Sequence, residues 1–540
     1  MKKLKVSQIL IFVLAAVVVA GGIFLGIFFG NETDTTKKTE ENISIEPIEV
    51  PVPDETNATK ITLKQDASTV SGKGVVIEKN KVIINQAGTY VLSGKLSDGK
   101  IEVDADEKDT VILLLAGAEI TNTNGKAIES IKAAHTSVQT KKGTTNFVQS
   151  GEDNSSGTEE TTDSQNSASG AAIYAQEEMS VAGEGDLTVM GYRNDGIKGK
   201  QSLCIAGGNL TIQSSHDGVQ AESNLFLSGG NVTVKTGEGS AKGFKCGNGM
   251  VISGGGYEVD AYDDAFHSNN SISITGGELT AKSGDDGIHA EKTLDVTGGK
   301  VSVTQSNEGM EANQITIKEG EINIVSSDDG MNAFGGNAKG GRGMKRPGQN
   351  MPDEAGMDRE ETTEETDMPN LIISGGSITV DSGGDGLDSN GNLTISGGTI
   401  IVNGPTNDGN GALDSGTESG GKCTISGGTI LALGSSGMAE TFEESSSQCS
   451  FLHNLPSRFQ KGDKISILDS SGKELFSHTA VKEGISVVFS SPDLQKGETY
   501  TIQAGEQKET VTMESNSQSN GKGNGFGGGG GFGKHERRKL

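Results

Sequence analysis

One context recurs through the middle of the chain: an acid, a glycine, an apolar residue, a polar one, a small one, and a second polar one. It reads Asp217-Gly218-Val219-Gln220-Ala221-Glu222, then Asp286-Gly287-Ile288-His289-Ala290-Glu291, then Glu308-Gly309-Met310-Glu311-Ala312-Asn313. Aligned on it, Asp195, Asp217, Asp264, Asp286, Glu308, Asp329, Asp385 and Asp408 make one column, with 22 residues the commonest step. Stacked in register, such carboxylates lie about 5 Å apart and repel by about 3 kcal/mol at an effective dielectric constant of about 20. Three positions double the acid, Asp263-Asp264, Asp285-Asp286 and Asp328-Asp329, and worsen the repulsion. Ca²⁺, which takes roughly six to eight oxygens, relieves it by bridging adjacent repeats. One Asp-Gly alone is an ordinary turn dipeptide. Eight in register, some doubled, favour a metal-binding column, with the three pairs as its foremost ligands.

One repeat breaks the column. Gly243-Phe244-Lys245-Cys246 falls on the recurring segment, so Lys242 stands where the acid should be. Between Asp217 and Asp264 it acts as a built-in counter-ion. The catalytic alternative makes Lys242 or Lys245 a base that abstracts a proton beside a uronate carboxylate. If the apolar and small residues of each segment face inward, their alternates face outward. One outward column is then Lys198, Gln220, Lys245, His267, His289, Glu311, Asn332 and Asp388, with His267 over His289. A second is Lys200, Glu222, Asn269, Glu291, Asn313 and Asn390. Within this polar face His267, His289, Glu291, Glu311, Asn332 and Asp388 are candidates for contacting sugar hydroxyls or metal, although any solvated sheet face looks similar.

Such columns require stacked strands. Glycine pairs at 207/208, 229/230, 254/255, 276/277, 298/299, 375/376, 397/398 and 427/428 are flanked by short alternating segments, such as Leu294-Asp295-Val296-Thr297 before and Val301-Ser302-Val303 after. Period-2 alternation in pieces this short means strands. Three strands and three turns per repeat predict an all-β chain wound as a single-strand parallel β-helix, a solenoid over 60–437 in which each turn buries the apolar face of the next. The stretch 74–148 has the same character with a looser period. The pattern stops after Gly437, and 438–514 reads as a small closing β unit.

The chain has 540 residues with 81 Gly, no Trp and a formal net charge of −28. Such acidity excludes nucleic acid as a partner, since a phosphate backbone needs Lys and Arg to displace its counter-ions. Lys2, Lys3 and Lys5 precede an uncharged run from Ile9 to Phe29. That run is long enough to span a bilayer, so 1–30 is expected to anchor the chain in the membrane, or to be cleaved as a signal peptide, with the rest outside the cell. Residues 31–59 read as an extended linker, 150–169 and 336–369 as disordered insertions, and 515–540 as a Gly-rich disordered tail. The four cysteines, 204, 246, 423 and 449, fit no zinc spacing. Cys423–Cys449 is the one reasonable disulfide pairing.

Gly88-Thr89-Tyr90-Val91-Leu92-Ser93-Gly94, Leu96-Ser97-Asp98-Gly99, Asn194-Asp195-Gly196-Ile197, the repeated Gly-Gly turns and Phe489-Ser490-Ser491-Pro492-Asp493-Leu494 together resemble a known family. It is that of the secreted, calcium-binding, carbohydrate-binding β-helix proteins of cellulose-degrading Gram-positive bacteria. Over roughly 60–514 the resemblance implies a right-handed, polysaccharide-lyase-like parallel β-helix with calcium between turns and affinity for cellulosic and pectic polymers. It also implies binding rather than catalysis. Lys242 and the two insertions depart from the family pattern. Crystalline cellulose is gripped by flat aromatic rows. Here only Tyr192, Tyr262, Phe266 and Phe334 stand near the candidate segments. The expectation is therefore a monomeric, surface-anchored protein that binds an acidic or mixed plant polysaccharide through Ca²⁺. A Ca²⁺-dependent polysaccharide lyase and a structural adhesin or spacer are the alternatives.

Overall fold

The computed structural model describes residues 45–152, 170–335 and 368–521. The expected membrane segment and most of each insertion lie outside these, as do the residues after 521. Among the described residues no helix is long and apolar enough to cross a membrane. In its described residues the unit from Glu46 onward is all-β, and 34 of the strands there form a single sheet.

The repeat sets the pairing. Phe266–Ser268 lies parallel between Phe244–Cys246 and Ile288–Ala290, one repeat before and one after. Ser271–Ile274 and Glu278–Lys282 of the same repeat are paired likewise on both sides. Apolar residues with like positions in successive repeats therefore stack. Ile205, Leu227, Ile252, Ile274, Val296, Ile317, Ile373 and Ile395 form one such column through consecutive parallel pairings. Each of these side chains is 0 % exposed. Full burial of one such side chain contributes about 1.5–3 kcal/mol, so the repeats are held to one another chiefly by these columns.

The Gly-Gly turns serve two purposes. In the pair 375/376 the second glycine has φ +87°, the left-handed region, while a Cβ on the first would run into the Lys318 carbonyl of the preceding repeat. The glycine after the acid differs. Gly287 has no left-handed φ, and a Cβ there would come within 2.6 Å of the Gly309 carbonyl. Close stacking, rather than turn conformation, demands glycine beside the acid.

At the C-terminal end Gly484–Ser490 pairs antiparallel with Cys423–Gly434 and ends the parallel ladder. Ser450–Phe459 follows beside it, and a separate four-stranded antiparallel sheet completes the unit over its own core of Phe451, Phe459, Phe489 and Ile467. Three sequence expectations need correction. Residues 46–58 are not a free linker, because Gln139 Nε2 donates to the Pro51 carbonyl (2.7 Å) and Asp54 N–H to Thr89 Oγ1 (3.0 Å). The tail begins with order, since Ser517–Ser519 pairs with Ser450–Leu452. All four cysteines are free thiols. Cys423 packs in the main core and Cys449 in the C-terminal one, so they face different interiors.

Candidate functional site

The acidic column is held by the segment that follows it. The strands Ile197–Gly199, Val219–Ala221, Phe244–Cys246, Phe266–Ser268, Ile288–Ala290, Met310–Ala312, Met331–Ala333 and Leu387–Ser389 stack in strict register. Two residues before them stand Asp195, Asp217, Lys242, Asp264, Asp286, Glu308, Asp329 and Asp385. Asp408 does not join them. Leu413 pairs with Leu387, so Gly411 takes the column position and Asp408 sits exposed in the loop before it. The last repeat has four residues more than the usual 22, and they lengthen that loop.

One oxygen of most of these acids is committed to the backbone. Asp195 Oδ1 accepts the Asp217 N–H (3.2 Å), Asp217 Oδ1 the Lys242 N–H (2.9 Å), and Asp264 Oδ1 the Asp286 N–H (3.1 Å). Asp329 Oδ1 accepts the Asp385 N–H (2.6 Å) and Asp385 Oδ1 the Gly411 N–H (2.5 Å). The column is thus a ladder in which five of the seven carboxylates cap the next repeat, a role the sequence pattern does not reveal.

What meets the second oxygen divides the column in two. In the upper repeats it meets cations. Lys198 Nζ lies 3.6 Å from Asp195 Oδ2, and Lys245 Nζ lies 3.6 Å from Asp217 Oδ2. His216 Nδ1 shares the first oxygen, Asp195 Oδ1, at 2.9 Å. Lys242 Nζ reaches both Asp263 Oδ1 (3.0 Å) and Asp264 Oδ2 (2.5 Å), and His267 Nδ1 shares the latter (2.7 Å). His289 Nδ1 bonds Asp286 Oδ2 (2.9 Å) and approaches Glu311 Oε2 (3.3 Å). The two imidazoles stack 4.9 Å apart and 14° from parallel. Burial works to raise Asp264, yet the His267 and Lys242 contacts outweigh it and hold that carboxyl well below its usual range. Burial works to lower His289, but Asp286 and Glu311 push it up to about 11. Burial, opposed by the bond from His289, takes Asp286 up to about 9, helped by the neighbouring Glu311.

In the lower repeats carboxylates meet one another. Ligand oxygens of Asp329, Asp385 and Asp388 lie within 4.8 Å of one another, and no Lys, Arg or His among the described residues pairs with them. Burial first, then mutual repulsion and Asp414, raise them to about 6, 7 and 9. Glu308 is raised to about 8 by burial and Glu311, although it accepts Asn332 Nδ2 at 3.0 Å.

The outward face is less solvated than expected. Lys198, His267 and Asn332 are buried, and Gln220, Lys245, His289, Glu311 and Asp388 are half-buried; all of these but Gln220 turn back onto the acids. The second column is open at Lys200, Glu222, Asn269, Glu291 and Asn390. Asp285 and Asp328 are also exposed. Phe266 is buried against Phe244 and offers no ring to a ligand. Sequence reading missed two residues. Asp414 lies directly below Asp388, as the repeated Leu-Asp-Ser at 387–389 and 413–415 signals. His216 is marked only by its place before Asp217.

A family model described as carbohydrate-binding domain-containing protein matches residues 78–239 and 205–287. A carbohydrate-binding domain-containing protein of Acetivibrio thermocellus is 31 % identical over 141 residues, 26 % of this chain and 48 % of that protein. The match therefore spans about half the length of that relative. A solved structure of the polysaccharide lyase-like protein from C. thermocellum, a gadolinium derivative, aligns at 28 % identity with a TM-score of 0.40, over 44 % of this chain and 96 % of that one. The family model thus covers the strands carrying Asp195 to Asp286, while Asp329, Asp385 and Asp388 lie beyond the residues it matches.

Proposed function

We propose that this chain is a non-catalytic, calcium-dependent polysaccharide-binding protein, wound as a right-handed parallel β-helix and displayed outside the cell from a membrane segment at its N-terminus. The observation that carries the reading is a ladder of buried and half-buried carboxylates in a chain similar to carbohydrate-binding domain-containing proteins. Oxygen-only donors suit a hard cation. Bound calcium supplies the positive charge through which an acidic or hydroxyl-rich polymer is held. The chain's own residues set the donor positions and orient them by spending one carboxylate oxygen on the next repeat. An acidic or mixed plant polysaccharide fits better than crystalline cellulose, because Phe266 is buried and Tyr262 stands as a lone exposed ring near these segments.

Catalysis by Lys242 is disfavoured by its surroundings. Burial works to lower its pKa, but Asp264 and Asp263 raise it, so the ammonium keeps the proton a base must lack. Lys245 Nζ faces Asp217 Oδ2 at 3.6 Å and is the one remaining lysine candidate. The reading is tested by capture of the full chain on polygalacturonate and on mixed plant polymer, with and without chelator. Capture abolished by chelator and restored by calcium is expected. Chelator-insensitive capture overturns the mechanism, and release of unsaturated uronide overturns the non-catalytic assignment. Thermal stabilisation by calcium without capture of any glycan favours a structural adhesin or spacer instead.

A further inference from the structure

The structure assigns one hard-cation site to Asp329, Asp385, Asp388 and Asn332, and makes the upper column, with its expected pairs 263–264 and 285–286, metal-free. This rests on the calcium-dependent reading above and deepens it by naming where the ion sits. It concerns a stretch outside the residues that the family model matches.

Three observations converge. The first is the carboxylate triad, unmatched by any basic side chain among the described residues. The second is independent of charge. Asn332 is 8 % exposed, and its Oδ1 has no hydrogen-bond partner. Register stacks Asn332 between Glu311 of the preceding repeat and Asp388 of the following one. Its Nδ2 is spent on Glu308 in the preceding repeat, so Oδ1 is the amide atom left over beside Asp388, the residue paired with Asn332 in the following repeat. A buried amide oxygen left without a donor costs about 1–3 kcal/mol, and a cation is a partner that removes that cost. The third is Gly384, where a Cβ would collide with Oδ1 of both Asp328 and Asp329. The bare backbone leaves room for both carboxylates to gather there.

The upper repeats hold the opposite arrangement. Lys242 already lies between Asp263 and Asp264 where an ion would sit, and His267 and His289 take Oδ2 of Asp264 and of Asp286. An arriving cation would have to displace a lysine ammonium and two hydrogen-bonded imidazoles. Donors that are all oxygen, from carboxylates and one amide, select calcium-like ions over zinc-like ones.

The test is titration of the calcium-stripped full chain with CaCl₂ by calorimetry, and with Tb³⁺ by luminescence. One ion per chain is expected, with Ca²⁺ displacing Tb³⁺ more effectively than Zn²⁺. Asp388→Asn and Asn332→Ala should each weaken binding by at least about tenfold, while Asp263→Asn leaves it within about twofold. Asp388→Asn keeps the volume and adds no charge to the triad, so without metal it should melt no lower than the parent, which separates lost ligation from lost folding. Unchanged affinity in Asp388→Asn overturns the assignment, as does loss of the site in Asp263→Asn. Localised calcium binding without polysaccharide capture leaves the assignment standing and removes the proposed function. Capture by a chain that binds no calcium removes the assignment.

Discussion

At the scale of single residues, the central fact is that each acid answers to its vertical neighbour. Lys242 replaces an acid in the column and serves three carboxylates: its N–H goes to Asp217, and its ammonium goes to Asp263 and Asp264. Lys242→Met keeps the volume and removes the charge, leaving Asp263 and Asp264 to repel in a half-buried place. A loss of about 3–5 kcal/mol is expected, the usual result of removing one partner of a buried pair. Urea unfolding of the variant measures it, and a change below about 1 kcal/mol would mean that water already screens the pair. Conservative Lys242→Arg does not rescue fully if the compact ammonium is needed between two carboxylates. The column itself was legible from the Asp-Gly spacing, and so was the intrusion of lysine. The hydrogen bonds to the next backbone were not, because the same Asp-Gly dipeptide occurs where a turn alone is needed.

At the scale of elements, the repeats are joined by apolar columns, glycine turns and side-chain ladders. Asn248 Nδ2 donates to Asn224 Oδ1 (2.9 Å), and Asn270 Nδ2 donates to Asn248 Oδ1 (2.9 Å), so one amide links three repeats. Asn248→Ala breaks both bonds and strands the part-buried Asn270 amide, while Asn224 Oδ1 keeps the Gly249 N–H (3.2 Å), with an expected cost of about 1–2 kcal/mol in chemical denaturation. Gly375→Ala forces a methyl group against the Lys318 carbonyl, and the strands on either side must part. A loss of about 1–3 kcal/mol is expected, typical of overpacking a tight contact. Gly143→Ala, at a site with nothing within 4 Å of the added methyl but φ +72°, isolates the backbone strain. If the two substitutions melt alike, close approach is not what glycine serves at 375. The strands and their turns followed directly from alternation and glycine pairs. The Asn ladder went unread, because asparagine beside a turn is expected on propensity alone.

At the scale of the whole molecule, stability depends on pH and metal together. A carboxyl whose folded pKa is raised holds its proton longer in the fold than in the unfolded chain. It is neutral in effect below pH of about 4 and becomes a penalty as pH climbs through the folded value. Asp329, Asp385 and Asp388, at about 6, 7 and 9, all act in this sense. His289, raised to about 11, contributes stability that is complete below its ordinary value of 6.5 and lost as pH rises toward 11. The two effects share a sign. In chelator the melting temperature should therefore fall steadily from about pH 5 to about pH 9, and calcium should flatten the slope at the alkaline end. A flat profile in chelator would show that the carboxylates are already compensated. The amino-acid sequence by itself determined the strand content, the repeat length, the inward columns and the row of acids, because alternation and spacing are properties of neighbouring residues along one chain. Only the tertiary structure decided which acids meet cations and which meet one another. It moved Asp408 out of the row through a longer loop, brought Asp414 in, and turned the outward face back onto the column. Those outcomes depend on contacts between residues of neighbouring repeats, 21 positions apart for Lys242 and Asp263 and 56 for Asp329 and Asp385, where the path of one turn and the rotamer of one lysine determine where the charge lies.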